Sequence, residues 1–571
     1  MNEQPSHAKT QRRKEEADAA ETLGVLASLR EPDFSHAKTQ RRKEEADAAE
    51  TLGVLASWRE PADSHAKTQR RKEEANTGSL GVLASLREPT VPLRDMPAEP
   101  WLADEHPQEE CGVIGLFTPE EDAARLTFFG LFALQHRGQE AAGMAVSDGQ
   151  TMSLYKNIGM INQVFRQETL DDLHGQLAIG HTRYSTTGSS SIRNAQPFVI
   201  ETIHGPLALA HNGNLINSAD LRAELMRQGV GLSSSSDTEV MTMMLARNHG
   251  ATWTDRIRSA MSRWVGAYSL VILTRDRIYA VRDPWGFRPL CVGVLPSGGF
   301  AAASETGALQ TLGCDRIRDV QSGEIVAMHR RALVFMQALP PVEPSAMCIF
   351  EHIYFARPDH VWDGLNVHHV RQRLGEELAA EAAPEADVVI PVPDSSLPAA
   401  VGFARVAGIP FNDGFIKNRY VGRTFIEPTD SLRKRGVALK FNVIRENVAG
   451  KRLVVIDDSI VRGNTTGPLI RLLRAAGASE VHVRITCPPI AHPCFMGVDM
   501  GAYQDLIAHR RSVEDIRQHI GADSLHFLSL EGMMRAVGRT GGFCQACFTG
   551  DYPAPVDLRT VKTGFERGIA R

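Results

Sequence analysis

The chain has 571 residues, 43% of them hydrophobic, and a formal charge of −5, a length that one hydrophobic core rarely serves and that calls for two or more domains. So small a net charge excludes a global pull toward nucleic acid or acidic membranes, and any anion site must be a local arrangement. No apolar run approaches the roughly 18 residues of a membrane span and no secretory signal pattern opens the chain, so a cytoplasmic protein is expected, in which eight cysteines read as catalytic or metal-binding rather than as a disulfide framework.

Three near-identical copies of Ser-His-Ala-Lys-Thr-Gln-Arg-Arg-Lys begin at Ser6, Ser35 and Ser64, a period of 29. Such a period usually indicates a solenoid. Here the copies hardly differ, and each carries one short apolar patch among charged residues, too little for a stable core. Residues 1–95 are therefore expected to be a repetitive extension outside the working domains, with Met96 as the natural start. Residues 96–110, acidic and proline-bearing, are expected to be a cleavable propeptide.

Cys111 opens the run Cys-Gly-Val-Ile-Gly-Leu-Phe. If cleavage frees its α-amine, the thiol gains a neighbouring base that titrates near neutrality. The competing reading is a buried strand cysteine. Residues 111–345 then show short strands, including 207–210, 269–274 and 278–281, among many glycine turns. Four motifs interrupt them, namely Gln135-His-Arg-Gly-Gln139, His181-Thr-Arg-Tyr-Ser-Thr-Thr-Gly188, His211-Asn-Gly-Asn214 and Ser236-Asp-Thr-Glu239. Thiolate attack on a carboxamide creates an oxyanion that takes two donors, which Asn212 and the Gly213 N–H can supply. An amino-acid substrate also presents a carboxylate and an ammonium, matched by Arg183 and Asp237. Each feature has a structural alternative when taken singly: a hairpin turn at Asn212-Gly213, a helix cap at Ser236 and a surface cation at Arg183.

Together and in this order, these motifs resemble the glutaminase domain of N-terminal-nucleophile amidotransferases. The resemblance implies an α+β, four-layer αββα fold. It implies a glutamyl thioester on Cys111 with release of ammonia, and an oxyanion hole from Asn212 and Gly213. It further implies substrate contacts from Arg183 and Asp237, with Arg137 ordering the site. His136, His181 and His211 are read as structural.

Past the Pro340, Pro341 and Pro344 cluster, residues 346–571 alternate strands (387–391, 451–456) with a helix of i, i+3, i+4 spacing over 469–476, the pattern of a doubly wound parallel sheet. Strand 451–456 runs into Asp457-Asp-Ser-Ile-Val-Arg-Gly-Asn-Thr-Thr466. Carboxylates at the carboxyl end of a parallel strand stand in the ligand crevice, where Asp457 and Asp458 can accept from a ribose diol and help hold Mg²⁺. The turn after them offers N–H groups at a helix start to a phosphate. A plain capped strand-to-helix turn is the alternative.

That segment resembles the phosphoribosyl pyrophosphate motif of type I phosphoribosyltransferases. The resemblance implies substrate contacts from Ser459, Arg462, Gly463, Asn464 and Thr465, and a Mg²⁺ site that Ser395 shares with Asp457 and Asp458. Residues 417–442 carry seven Lys or Arg against two acids, which within this family implies a loop, with Lys417 and Arg419, that closes over pyrophosphate.

From Cys111 to about Pro555 the chain resembles the glutamine phosphoribosylpyrophosphate amidotransferases, most specifically at Glu351-His-Ile-Tyr-Phe-Ala-Arg-Pro358 and Lys417-Asn-Arg-Tyr-Val-Gly-Arg-Thr-Phe425. This implies an amidophosphoribosyltransferase reaction, the first step of de novo purine synthesis, with a homotetramer inhibited by purine nucleotides and with neither nucleic acid nor membrane as partner. A salvage phosphoribosyltransferase with a dead glutaminase, and a nucleotide-sensing regulator, are the rival readings. Cys494, Cys544 and Cys547 match three ligands of a [4Fe–4S] cluster in one branch of the family, but a cluster needs four thiolates. The fourth is expected in Ser304-Glu-Thr-Xaa, where Gly307 stands. Two alternatives stay open, Cys314 as a displaced fourth ligand or three thiols without a cluster. Cys291, Cys348 and Cys487 are expected to be core.

Overall fold

In the computed structural model, which describes residues 111–120, 122–184, 191–330, 332–418, 441–500 and 502–556, the run after Cys111 forms a strand buried on both faces. The repeats, the expected propeptide and Arg419 lie outside the described residues. All described residues belong to one unit, Ala98–Arg571.

The first half supplies Gly112–Phe117 (β1), Ala141–Ser147 (β2), Met152–Ile158 (β3), Leu177–Arg183 (β4), Phe198–Thr202 (β5), Gly205–Leu215 (β6), Gly266–Thr274 (β7), Ile278–Arg282 (β8), Cys291–Val294 (β9), Phe300–Ala303 (β10), Arg318–Asp319 (β11), Glu324–His329 (β12) and Ala332–Gln337 (β13). They form two antiparallel sheets, ordered β11-β9-β10-β1-β4-β2-β3 and β13-β12-β8-β7-β6-β5. Side chains alternate along β1. Ile114 and Leu116 enter the apolar cluster beneath helix α1 (Ala123–Ala133), while Val113 and Phe117 join Ala208, Ala210 and Val271 between the sheets. A third cluster holds α2 (Ser218–Arg227), α3 (Asp237–Arg247) and α4 (Trp253–Met261) against the second sheet. Three stacked cores define four layers, helix on sheet on sheet on helix. Each fully buried Val, Leu, Ile or Phe contributes about 1.5–3 kcal/mol, so the period-two pattern fixes which face of β1 meets which layer.

The second half contains Met347–Cys348 (β14), Val388–Pro391 (β15), Arg452–Asp457 (β16), Glu480–Ile485 (β17), Ser524–Phe527 (β18) and Phe543–Cys544 (β19). β15-β16-β17-β18 form a wholly parallel sheet. Val388–Pro391 and residues 453–456 read as continuous apolar runs, as both-face burial requires, whereas β17 and β18 alternate apolar with polar residues. Helices α5 (Val367–Ala382), α6 (Leu397–Ala407) and α9 (Leu530–Val537) pack together, as do α7 (Thr466–Ala475) and α8 (Val513–Ile520), and one apolar cluster joins both groups to the sheet. Glu351–Phe355 form a single π-helical turn. Among the described residues no helix is long and apolar enough to cross a membrane.

Two candidate catalytic sites

Cys111 stands at the head of β1, 4% exposed, and its Sγ donates to the Tyr184 carbonyl at 3.3 Å. Burial pushes its thiol up to about 11. An internal Cys111 is thus a neutral thiol at pH 7, and attack by it requires a base. Arg183, at the end of β4, is 3% exposed and burial lowers its pKa. Its guanidinium senses Cys111, Glu140 and Asp237 electrostatically, which puts Arg183, Asp237 and the thiol in one neighbourhood.

The Asn212-Gly213 pair is not a hairpin turn. Both residues lie inside β6, opposite Ser269 and Tyr268 of β7. The packing explains the glycine: Gly213 has φ +144°, and a Cβ there would sit 2.1 Å from the Ala267 carbonyl oxygen. Asn212 is 1% exposed, and among the described residues its buried Nδ2 has no hydrogen-bond partner. Native structures rarely leave such a donor unmet outside functional positions. Asp237 begins α3, where Ser236 caps the helix by accepting from Thr238 N. Its Oδ2 accepts from Leu215 N at 3.0 Å and lies 3.6 Å from His211 Nδ1. Burial opposes its charge, but His211 and the Leu215 and Thr238 contacts win and lower its pKa, so a charged carboxylate is fastened to the end of β6. His181 Nε2 contacts the His211 carbonyl at 3.1 Å, and burial takes this ring down to about 3, which leaves it neutral at pH 7.

Arg137, in the short helical turn Gln135–Arg137, is 1% exposed. Its Nε donates to the Cys111 carbonyl at 3.1 Å, while the guanidinium pairs with Glu305 at 2.7 Å and Glu351 at 2.7 Å. The structure therefore places this residue against the Cys111 backbone, paired with two buried carboxylates.

In the second half, Asp457 and Asp458 end β16 and are 2% and 1% exposed. Ser395 Oγ donates to Asp458 Oδ2 at 2.6 Å and Ser459 Oγ to Asp458 Oδ1 at 2.7 Å. The loop through Arg462, Gly463, Asn464 and Thr465 leads into α7, with Gly463 at φ +79°. Lys417 ion-pairs with Asp394 at 2.7 Å on a cleft of about 680 Å³ walled by Pro391, Pro393, Phe411 and Asn442. Two carboxylates and a hydroxyl are hard oxygen donors that suit Mg²⁺, whose other ligands commonly come from phosphate and water. Among the described residues no three His, Cys, Asp or Glu side chains converge as a single-ion site, so substrate oxygens would have to complete the shell.

The cysteines correct the sequence reading. Cys314 packs in the core under α1, beside Gly293, and the Gly307 position faces Asp359. Cys314 neighbours Cys291 in that core, and neither it nor Gly307 lines the cavity that holds Cys494, Cys544 and Cys547. Cys348, expected to be core, instead joins Cys494, Cys544 and Cys547 around one small apolar cavity. The parallel pairing of β14 with β19 sets Cys348 opposite Cys544. Four soft thiol donors in an apolar shell match the chemistry of an iron–sulfur cluster. A Met-Cys-Ile-Phe run carries no local sign of this, because its partner lies 196 residues away in sequence.

The halves meet along β6 and the loop after β8. Asn214 Nδ2 donates to Phe495 O at 2.9 Å and Arg288 Nη2 to Met496 O at 2.7 Å. A Cβ on Gly497 would lie 3.0 Å from Gly213 C.

A glutamine amidotransferase domain model matches residues 181–311 and a phosphoribosyl transferase domain model residues 362–494. The chain is 47% identical over 489 residues to an amidophosphoribosyltransferase of Synechococcus elongatus, covering 82% of this chain and 99% of the relative. It is 46% identical over 459 residues to that of Bacillus subtilis, covering 79% and 96%. A solved glutamine phosphoribosylpyrophosphate amidotransferase from B. subtilis, complexed with ADP and GMP, superposes with a TM-score of 0.75 at 45% identity, covering 79% of this chain and 99% of that one.

Proposed function

This chain belongs to the amidophosphoribosyltransferase family, and from that premise we propose how its residues divide the work. Its reaction is the first step of purine biosynthesis, in which the amide nitrogen of glutamine is transferred to phosphoribosyl pyrophosphate. On our reading, residues 111–345 form the glutaminase domain and residues 346–571 the phosphoribosyltransferase domain. Cleavage before Cys111 unmasks the α-amine that takes the thiol proton. The sulfur then attacks the amide carbon of glutamine, the C–N bond breaks, and ammonia leaves with a thioester behind that water cleaves to glutamate. Asn212 Nδ2 and Gly213 N–H stabilise the oxyanion, and Arg183 and Asp237 hold the amino-acid end of the substrate.

Ammonia next attacks ribose C1 as the bond from C1 to pyrophosphate breaks. Asp457 and Asp458 orient the ribose, and Ser459, Arg462, Gly463, Asn464 and Thr465 hold the 5-phosphate. Lys417 and Arg419 offset the charge of the leaving pyrophosphate. Asp457, Asp458 and Ser395 would hold Mg²⁺, which supplies further neutralisation of the departing oxygens when bound. Cys348, Cys494, Cys544 and Cys547 would hold a [4Fe–4S] cluster as a structural clasp. We also propose a cytoplasmic homotetramer that binds inhibitory purine nucleotides, a reading prompted by the ADP and GMP in the Bacillus relative.

The observation that carries the glutaminase assignment is the buried, unmet amide donor of Asn212 on the strand fastened to Asp237. The test is Cys111→Ser assayed with each nitrogen source. Glutamine-dependent turnover should fall at least about 1000-fold, with ammonia-dependent turnover within about twofold of the parent. Glutamine turnover that survives in the variant rejects the assignment.

A further inference from the structure

Glu351 lies in the second half of the chain, fully buried, yet its carboxylate is turned toward the first. Oε1 accepts from Arg137 Nη2 at 2.7 Å and Oε2 from Nη1 at 3.0 Å. A two-pronged pair fixes the plane of the guanidinium as well as its charge. Glu305 holds Nη1 from another side at 2.7 Å, and the remaining Nε reaches the carbonyl of Cys111 at 3.1 Å. Burial alone would push Arg137 down; the facing Glu351, and then Glu305, more than reverse this and keep it charged. Glu351 is anchored in turn. It opens the π-helical turn Glu351–Phe355, where Arg371 of α5 donates to the His352 and Ala356 carbonyls at 2.9 and 2.8 Å.

We propose that Glu351 is a positioning residue for glutamine cleavage, acting through Arg137 to fix the backbone of the nucleophilic Cys111. A flexible arginine can hold a carbonyl in place only if its own plane is fixed, and Glu351 supplies that fixing at two points. Misplacing a reacting atom by about 1 Å costs roughly 100-fold in rate, so the lever is large although Glu351 touches no substrate. The glutaminase half thereby depends on a carboxylate lent by the phosphoribosyltransferase half. The inference rests on reading Cys111 as the nucleophile.

The test uses the full chain as parent, Glu351→Gln, Glu351→Asp and Cys111→Ala, measuring kcat and KM for glutamine, ammonia-dependent turnover and thermal unfolding. Glu351→Gln should lower kcat for glutamine by roughly 10–100-fold with KM within about threefold, because the residues proposed to grip glutamine are untouched. Ammonia-dependent turnover should stay within about twofold, and Glu351→Asp should recover part of the loss. Parallel loss of both activities, or an unchanged kcat for glutamine, overturns the proposal. A Glu351→Gln chain that does not fold passes the decision to Glu351→Asp, where a selective fall in kcat supports the role and its absence rejects it. Cys111→Ala separates the two claims. Glutamine turnover retained there sinks the nucleophile reading, whereas turnover lost there but kept in Glu351→Gln sinks the role of Glu351 alone.

Discussion

An amide donor buried without an acceptor costs about 1–3 kcal/mol, and Asn212 carries one on the strand packed over β1. A fold that keeps such a group gains nothing in stability from it. On the proposed reading the group becomes satisfied when a negatively charged oxygen forms opposite it, which is the condition for stabilising a transition state more than the ground state. Asn212→Ala should therefore lower kcat for glutamine by about 100–1000-fold, leave ammonia-dependent turnover near the parent's, and raise or leave unchanged the midpoint of thermal unfolding. A marked loss of stability would assign the amide to the fold instead. The Cys111 thiol follows the same logic of cost and use. Raised to about 11 by burial, it is inert unless a neighbouring base takes its proton.

Two short elements determine whether the sites can work together. β6 carries Asn212 and Gly213, the proposed oxyanion donors, and the stretch after Cys494 is laid against it through Phe495 and Gly497. Gly497 has φ +105°, and an added Cβ would come within 3.0–3.2 Å of Gly213 backbone atoms, so no side chain fits without shifting one segment. Gly497→Ala should reduce the ratio of glutamine-dependent to ammonia-dependent turnover by about tenfold, since the displaced backbone is the one proposed to donate to the oxyanion. Equal loss in both assays would show that the contact serves folding rather than the oxyanion strand. Sequence could not expose this contact, because 284 positions separate Gly213 from Gly497 and neither segment has a periodicity that names its partner.

At the scale of the molecule, two halves of different construction are joined by buried polar pairs such as Arg137 with Glu351, and the second half holds a quartet of thiols. Full-length protein purified without oxygen should contain about four iron atoms per chain. Cys348→Ser should lose most of that iron and unfold at lower temperature, whereas Cys314→Ser should keep it, because Cys314 sits in the separate core under α1. Iron lost with Cys314 and kept without Cys348 would restore the sequence expectation. The two fold types were legible in the chain itself. The apolar strand before Asp457, the helix after it and each motif taken singly are local properties that arise within a few consecutive residues, whereas the four-layer fold of the first half was implied by the resemblance that the motifs carry in order. Cys111, Asn212, Asp237, Asp457 and Asp458 could be singled out for the same reason. Only the tertiary structure decided that Asn212-Gly213 is strand rather than turn, that Arg137 lies against the Cys111 backbone between Glu305 and Glu351, and that Cys348 rather than Cys314 joins the other three thiols. These facts depend on which distant segments share one dry interior, and desolvation and close packing act on neighbours in space whatever their distance along the chain.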